Sequence, residues 1–414
     1  MAELVRTLKH LPYFEALSEL EESSAEWRAT SAGLLVLRLV DAWMDEGPSV
    51  AAVDAWGVRA VRAAVDGVEP GNPVRAILGS VVDAIERARA ADMTVVAPRL
   101  MAYGRALDFE AKWALACDVY RTILAHAHPA EEPDVAVDAS MRLGYCARML
   151  GDLEGSAAAY GRAGQVAAAA GDLMGVLKAR VGESKIALAH GNLPRAEQIL
   201  DETIVRAGAS DFTELRAMAL HDRAAVAHRR GDYERAVRLG YEALQSTSSP
   251  IERDRLLADI AGFFVELGVR SAARDAHLVL AATAQEQYPR WVATINLLEI
   301  AALDETEPVF EQYRRELADA DLPPTLRVEY HLHVGRGFRI FGKVDAARAE
   351  LTKVLQLAEQ HRLNDYVFTA ERELSELDRG ERLRGPAAAA APAGVQDVAN
   401  ALREMRETAA VAGV

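Results

Sequence analysis

Met149-Leu150-Gly151-Asp152-Leu153, Ala189-His190-Gly191-Asn192-Leu193 and Arg229-Arg230-Gly231-Asp232-Tyr233 are one pattern written three times. Their glycines are 40 residues apart; Gly268 follows after 37, and Gly342 after a further 74, twice 37. A degenerate copy is therefore expected near Asp304, between Ala302 and Val309. Repetition at such a period marks stacked supersecondary units. Glycine can end a helix in the left-handed conformation. The Asp or Asn after it can cap the next helix with its side-chain oxygen. Each unit reads as helix, tight turn, helix.

Two more layers share this register. Five residues after the glycines stand Ser156, Ala196, Ala236, Ala273 and Ala347; seven before them stand Gly144, Ser184, Ala224, Ala261 and Gly335. All are small, which predicts close approach of paired helices. Pro48, Pro98, Pro194, Pro250, Pro289 and Pro323 are expected at helix starts, where the missing N–H costs little.

Composition agrees. The 414 residues include 79 Ala and are 50% hydrophobic and 26% charged, enough to bury a core and favouring helix over sheet. A net charge of -15 argues against nucleic acid and anionic membranes as partners. Met1 to Leu20 carries charges throughout, with no basic start and apolar run, so a signal peptide is not expected. Ala32 to Met44 is too short and too charged to span a membrane. A cytoplasmic location follows as the default. Cys117 and Cys146 are expected to be free thiols on helices, acting as small buried hydrophobes.

The small residue in the first helix, the turn Gly231-Asp232-Tyr233-Glu234-Arg235-Ala236, and Leu143-Gly144-Tyr145 ahead of Gly151-Asp152-Leu153 resemble the tetratricopeptide repeat. The longer period is similar to the repeat modules of MalT-type and Rap-type bacterial regulators. The resemblance covers residues 133–362; Gly47 with Ala52 and the Tyr103 to Leu124 segment look like decayed copies upstream. It implies an all-α fold, a right-handed superhelical array of antiparallel helix pairs. The expected organisation is an N-terminal helical region over 1–128, the array over 129–378, an Ala/Pro linker over 379–394, and a short amphipathic helix over 395–414 built on Val395, Val398, Ala399, Leu402 and Met405. That helix can dock on the array, bind a partner or stay loose.

Catalytic motifs are missing. Gly335-Arg336-Gly337 lacks the third glycine of a dinucleotide fingerprint, and no phosphate-binding loop or Gly-x-Ser-x-Gly elbow is present. None of the ten His follows a Glu by three residues. His331 and His333, two apart on a helix, should point apart; His126 and His128 share that spacing, and His221 and His228 lie seven apart on one face. No enzyme, metal or cofactor is expected.

The resemblance also implies a concave wall lined by first helices, at positions 13, 10, 6, 3 and 2 before each turn glycine. Its charged members are Arg148, Lys178, Lys185, Arg229, Arg255, Arg336 and Arg339 against Asp138, Glu266 and Glu329. Four surplus cations in so acidic a chain predict a basic groove. With Tyr145, His221 and His228 it would take an acidic peptide segment, a carboxylate terminus or a phosphorylated ligand. Eight residues before the glycines, Glu183 and Arg223 break an apolar position and are expected to pair between neighbouring units. The sequence thus points to a non-catalytic scaffold or regulatory adaptor binding protein or peptide. The alternative is a small-ligand or signal-peptide sensor module of a bacterial regulatory system. Array ends and the amphipathic tail each offer a route to homo-oligomers.

Overall fold

The structure, a computed structural model, describes residues 8–46, 55–88, 90–381, 383 and 387–412. Gly47, Pro48, Ala52 and part of the expected linker, including Pro386, lie outside them. Among the described residues the chain is all-helical, with no strand. It forms two compact units that divide at Ala207/Gly208. The first holds α1 (Leu11–Glu19), α2 (Ala25–Glu46), α3 (Ala55–Asp66), α4 (Pro73–Arg87), α5 (Met93–Phe109), α6 (Trp113–His126), α7 (Pro133–Met149), α8 (Leu153–Ala169), α9 (Leu173–Ala189) and nearly all of α10 (Leu193–Ala209). The second holds α11 (Thr213–Arg229), α12 (Tyr233–Ser246), α13 (Pro250–Glu266), α14 (Arg270–Thr283), α15 (Gln287–Leu303), α16 (Glu307–Ala318), α17 (Pro324–Ile340), α18 (Val344–Gln360), α19 (Asn364–Asp378) and α20 (Gln396–Ala412). Within each unit, helices pair with their sequence neighbours and the pairs stack, as in an α-solenoid.

The turns explain the period. Gly151 has φ 80, its N–H donates to the Arg148 carbonyl at 3.0 Å, and the next N–H, Asp152, reaches back to Ala147 at 2.9 Å. This is the Schellman closure, which satisfies carbonyls a helix end would leave bare. Asp152 then caps α8, its Oδ1 accepting from the Gly155 N–H at 2.8 Å. Asn192 and Asp232 repeat this with Arg195 and Arg235 at 3.1 and 3.2 Å. One residue thus finishes one helix and starts the next. The degenerate copy is present too: Glu305 takes φ 54 between α15 and α16.

A finer period also emerges. Gly171 (φ 72) and Asp211 (φ 57) place the same left-handed residue in the turns between units, midway between the glycines of 151, 191 and 231. Seventeen-residue helices joined by three-residue turns recur from α7 to α11, and two such steps make the 40-residue unit. Upstream, Ala111 (φ 56) joins α5 to α6 in the same way.

The small layers lie at the helix crossings. Ser184, Ala224, Ala261, Ser156, Ala196, Ala236, Ala273 and Ala347 are all 0–1% exposed. Ser156 Oγ donates to the Gly144 carbonyl at 2.6 Å, joining the two layers directly. Glycines also form sockets for rings. A Cβ on Gly144 would stand 2.8 Å from the Tyr160 ring, one on Gly182 2.4 Å from the same ring, and one on Gly104 2.5 Å from Tyr120.

One expectation fails. Pro98 does not begin a helix; it lies inside α5, which starts at Met93 after an Asp92 cap. Its missing N–H removes a single bond near the helix start, so the helix continues. Pro250 does begin its helix, and Pro323 precedes Pro324 at the start of α17.

After α19 the chain leaves the repeat order. Ala389 N–H donates to the Gly268 carbonyl at 2.8 Å, and α20 packs on α14 and the edge of α12. Val395, Val398, Ala399 and Leu402 are at most 5% exposed. No described helix is long and apolar enough to cross a membrane.

Candidate functional site

Within each unit the first helices of successive pairs touch one another: α5, α7 and α9 in one, and α13, α15, α17 and α19 in the other. On that side lie the positions that the resemblance implies for a concave wall.

On the first unit's wall Tyr145 and Met149 are each 36% exposed on α7. The Arg148 guanidinium carbon sits 5.6 Å from the Tyr145 ring centroid, a cation–π contact. Its Nε is buried without a hydrogen-bond partner. Lys178 is exposed on α9, and Lys185 lies two turns further along it, half-buried. Asp138 is held by Arg105 at 3.2 Å. Glu183 pairs with Arg180 on its own helix at 3.1 Å. Arg223, its expected partner, belongs to the second unit, where it is 1% exposed.

The second unit's wall is more self-compensated. His221 on α11 places Nδ1 2.6 Å from Glu252 and Nε2 2.6 Å from Asp259, both on α13. Burial opposes the charge, but the bonds to Asp259 and Glu252 outweigh it and raise the imidazole pKa to about 9. His228 stacks between Tyr233 and Phe263, with centroids 5.5 and 5.3 Å away. Arg229 is exposed, as is Arg255, whose guanidinium is 3.7 Å from Glu252. Arg336 is bonded to Glu373 of α19 at 2.9 Å. Arg339, 5% exposed, bonds Glu373 and Glu376 of α19 and the Glu381 carbonyl. Glu329 accepts from the Tyr366 hydroxyl at 2.5 Å. His331 and His333 do point apart, towards Glu350 of α18 at 2.6 Å and Glu299 of α15 at 3.3 Å.

Two polar clusters and one buried imidazole carry no periodic signal. In the first unit His10, Asp41, Asp118 and His126 come together from α2, α6 and the start of α1. Also in the first unit the buried, free Cys146 thiol lies against Cys117 and donates to Asp108 at 2.7 Å, and Asp108 also accepts from the Tyr120 hydroxyl at 2.8 Å. The Cys117 contact, burial and Asp108 together push the Cys146 pKa up. In the second unit His277 is 3% exposed with Nδ1 unpartnered, and burial lowers its pKa to about 4. Among the described residues no group of three or more His, Cys, Asp or Glu is arranged to hold a metal.

No family model and no curated protein matches the chain. Among solved structures it is similar to the Rap conjugation gene regulator of the plasmid pLS20 in complex with the Phr* peptide, at 12% identity and TM-score 0.46, covering 86% of this chain and 98% of that one. It is also similar to a Rap protein complexed with competence and sporulation factor, at 12% identity and TM-score 0.37, covering 86% of this chain and 99% of that one.

Proposed function

We propose that the protein is a non-catalytic regulatory scaffold whose inner wall binds a protein or peptide segment, with preference for an acidic stretch or a carboxylate terminus. What carries this reading is the surface of the first unit. There α7 exposes Tyr145 and Met149 with Arg148 against the Tyr145 ring, and the adjacent first helix α9 exposes Lys178. An aromatic and a thioether give apolar anchoring; an arginine already stacked on the ring gives a pre-organised carboxylate donor. Among the described residues neither Arg148 nor Lys178 has a carboxylate within ion-pair distance. In the second unit the counterpart cations are Arg229 and Arg255, while Arg336 and Arg339 are held by α19.

The test is fluorescence anisotropy with labelled acidic, neutral and basic peptides of one length. Acidic peptides should bind tightest and weaken with salt. The combined change Arg148→Ala, Lys178→Glu and Lys185→Ala should cost about tenfold or more, near 1.4 kcal/mol. Equal binding of acidic and basic peptides would remove the reading.

A further inference from the structure

α20 follows α19 in the chain but packs six helices back, on α14 and the edge of α12. Its apolar face is half of the contact. The other half is a charge: Arg406 Nη1 lies 2.8 Å from Oδ1 of Asp275, a carboxylate on α14 with only 4% of its side chain exposed. An acid so placed needs a cation once it is covered. The approach to the seat is pinned lightly, by Ala389 N–H on the Gly268 carbonyl and by Arg238 on the Gly394 carbonyl at 3.3 Å. Residues 387–392, an Ala run ending at Pro392, form no helix.

An open cleft borders the seat. It has a volume of about 620 Å³ and runs between α20 and the array, walled by Tyr241, Leu257 and Val279 on one side and Ala401, Met405 and Ala409 on the other. Arg253, Asp254 and Glu404 are also among its lining residues. Two alanines face space that longer apolar side chains would fill, and filling such space strengthens a contact.

We propose that α20 is an internal placeholder, and that the α12–α14 face beneath it is the docking site for an amphipathic helix of a partner protein. That helix carries a cation at the place of Arg406 and bulky apolar residues at the places of Ala401 and Ala409. The tether gives α20 a high effective concentration, so it holds the seat until a better-filling helix competes. This face is separate from the inner wall and independent of the peptide reading above.

The experiment uses the full chain and a fluorescent peptide of residues 393–412 carrying Ala401→Leu and Ala409→Leu. In the protein, Arg406→Glu places an acid against Asp275 and loosens α20. The peptide should bind that variant at least about tenfold more tightly than the wild-type chain. Hydrogen exchange should show α20 losing protection in the variant and α14 regaining it with peptide. A second peptide with Arg406→Glu, which alters nothing in the protein, should lose at least about tenfold in affinity. Changing Arg148 and Lys178 should leave all this untouched. Equal affinity for both chains, or indifference to the peptide's Arg406, overturns the proposal. So does a concentration-dependent wild-type dimer with exchanged α20, which would assign the seat to a second copy of the chain.

Discussion

Nδ1 of His10 lies 2.7 Å from Oδ2 of Asp118, a residue 108 positions later in the chain. On the ring's other edge Nε2 faces Asp41 at 3.5 Å, and Asp41 also meets Lys9 and His126, both at 2.9 Å. His10 precedes α1 with φ 61, a left-handed conformation that costs a non-glycine residue about 1–2 kcal/mol. The carboxylate contacts offset that strain and fasten α1 to α2 and α6.

This clasp predicts an alkaline weakness. Burial opposes the imidazolium, but the bonds to Asp118 and Asp41 outweigh it, so the pKa rises to about 9. A pKa raised on folding gives stability that is complete below the ordinary value of 6.5 and is lost as pH climbs through about 9. The melting temperature should therefore fall between pH 7 and 9.5, by roughly 2–4 °C per kcal/mol lost. His10→Gln should melt lower at pH 6 and show a flatter alkaline limb. Parallel limbs for both proteins would exclude the clasp as the cause.

Left-handed turn positions make a second prediction. Asp211, Glu305 and Arg362 adopt φ 57, 54 and 56 without being glycine. Glu305→Gly should relieve strain and stabilise the second unit by up to about 1 kcal/mol, after the entropy that glycine adds to the unfolded chain. Gly231→Ala should do the reverse. No atom lies within 4 Å of a Cβ there, so its cost measures backbone strain and not crowding. Chemical denaturation of both variants tests the pair; destabilisation by Glu305→Gly would contradict it.

The turns also show how far the sequence can be read. Gly151, Gly191, Gly231, Gly268 and Gly342 mark their turns because only glycine takes that conformation without strain, and Glu305 fell where the spacing required. Gly171-Asp172-Leu173 repeats the turn string at the half-period and was legible in the sequence, whereas Asp211 and Arg362 occupy equivalent turns with ordinary side chains and break the 20-residue period. Ala111 takes the glycine's place between α5 and α6, where Tyr103 to Leu124 still reads as a decayed copy. Wall charge was harder to read. Counting fixed wall positions finds Arg336, Arg339 and His221 but omits Glu252, Asp259, Glu373 and Glu376, which stand at other register positions and reach across from the next first helix. His10 and Asp118 share no period at all.

Ring sockets predict strong coupling between residues that look unremarkable in sequence. Tyr160 packs against Gly144 and Gly182. Gly182→Ala should destabilise the first unit by about 1–3 kcal/mol, since the ring must move out of a packed site. In the background Tyr160→Leu the same change should cost much less, a coupling that a double-mutant cycle reads directly. Gly161, also in α8, has nothing within 4 Å of its Cβ, so Gly161→Ala should stabilise by about 0.5–1 kcal/mol through helix propensity. Equal effects at Gly182 in both backgrounds would show that Tyr160 is not the obstacle.

Arg339 and Glu373 separate structural cations from ligand-facing ones. Both side chains are nearly sealed, 2% and 4% exposed, and Glu373 also holds Arg336. Glu373→Gln leaves a buried guanidinium short of its counter-charge, which should cost about 3–5 kcal/mol. Asp378→Asn, which breaks the exposed Arg348–Asp378 pair, should cost at most about 1 kcal/mol. Arg339→Ala should likewise lower the melting temperature, yet leave acidic-peptide affinity unchanged below the melting transition. Arg148→Ala should do the opposite, with little thermal effect and weaker binding. Peptide titration and thermal melts on the two variants give a crossed result if the wall cations divide this way. If Arg339→Ala weakens binding as much as Arg148→Ala while the chain stays folded, the second unit's arginines belong to the ligand surface after all.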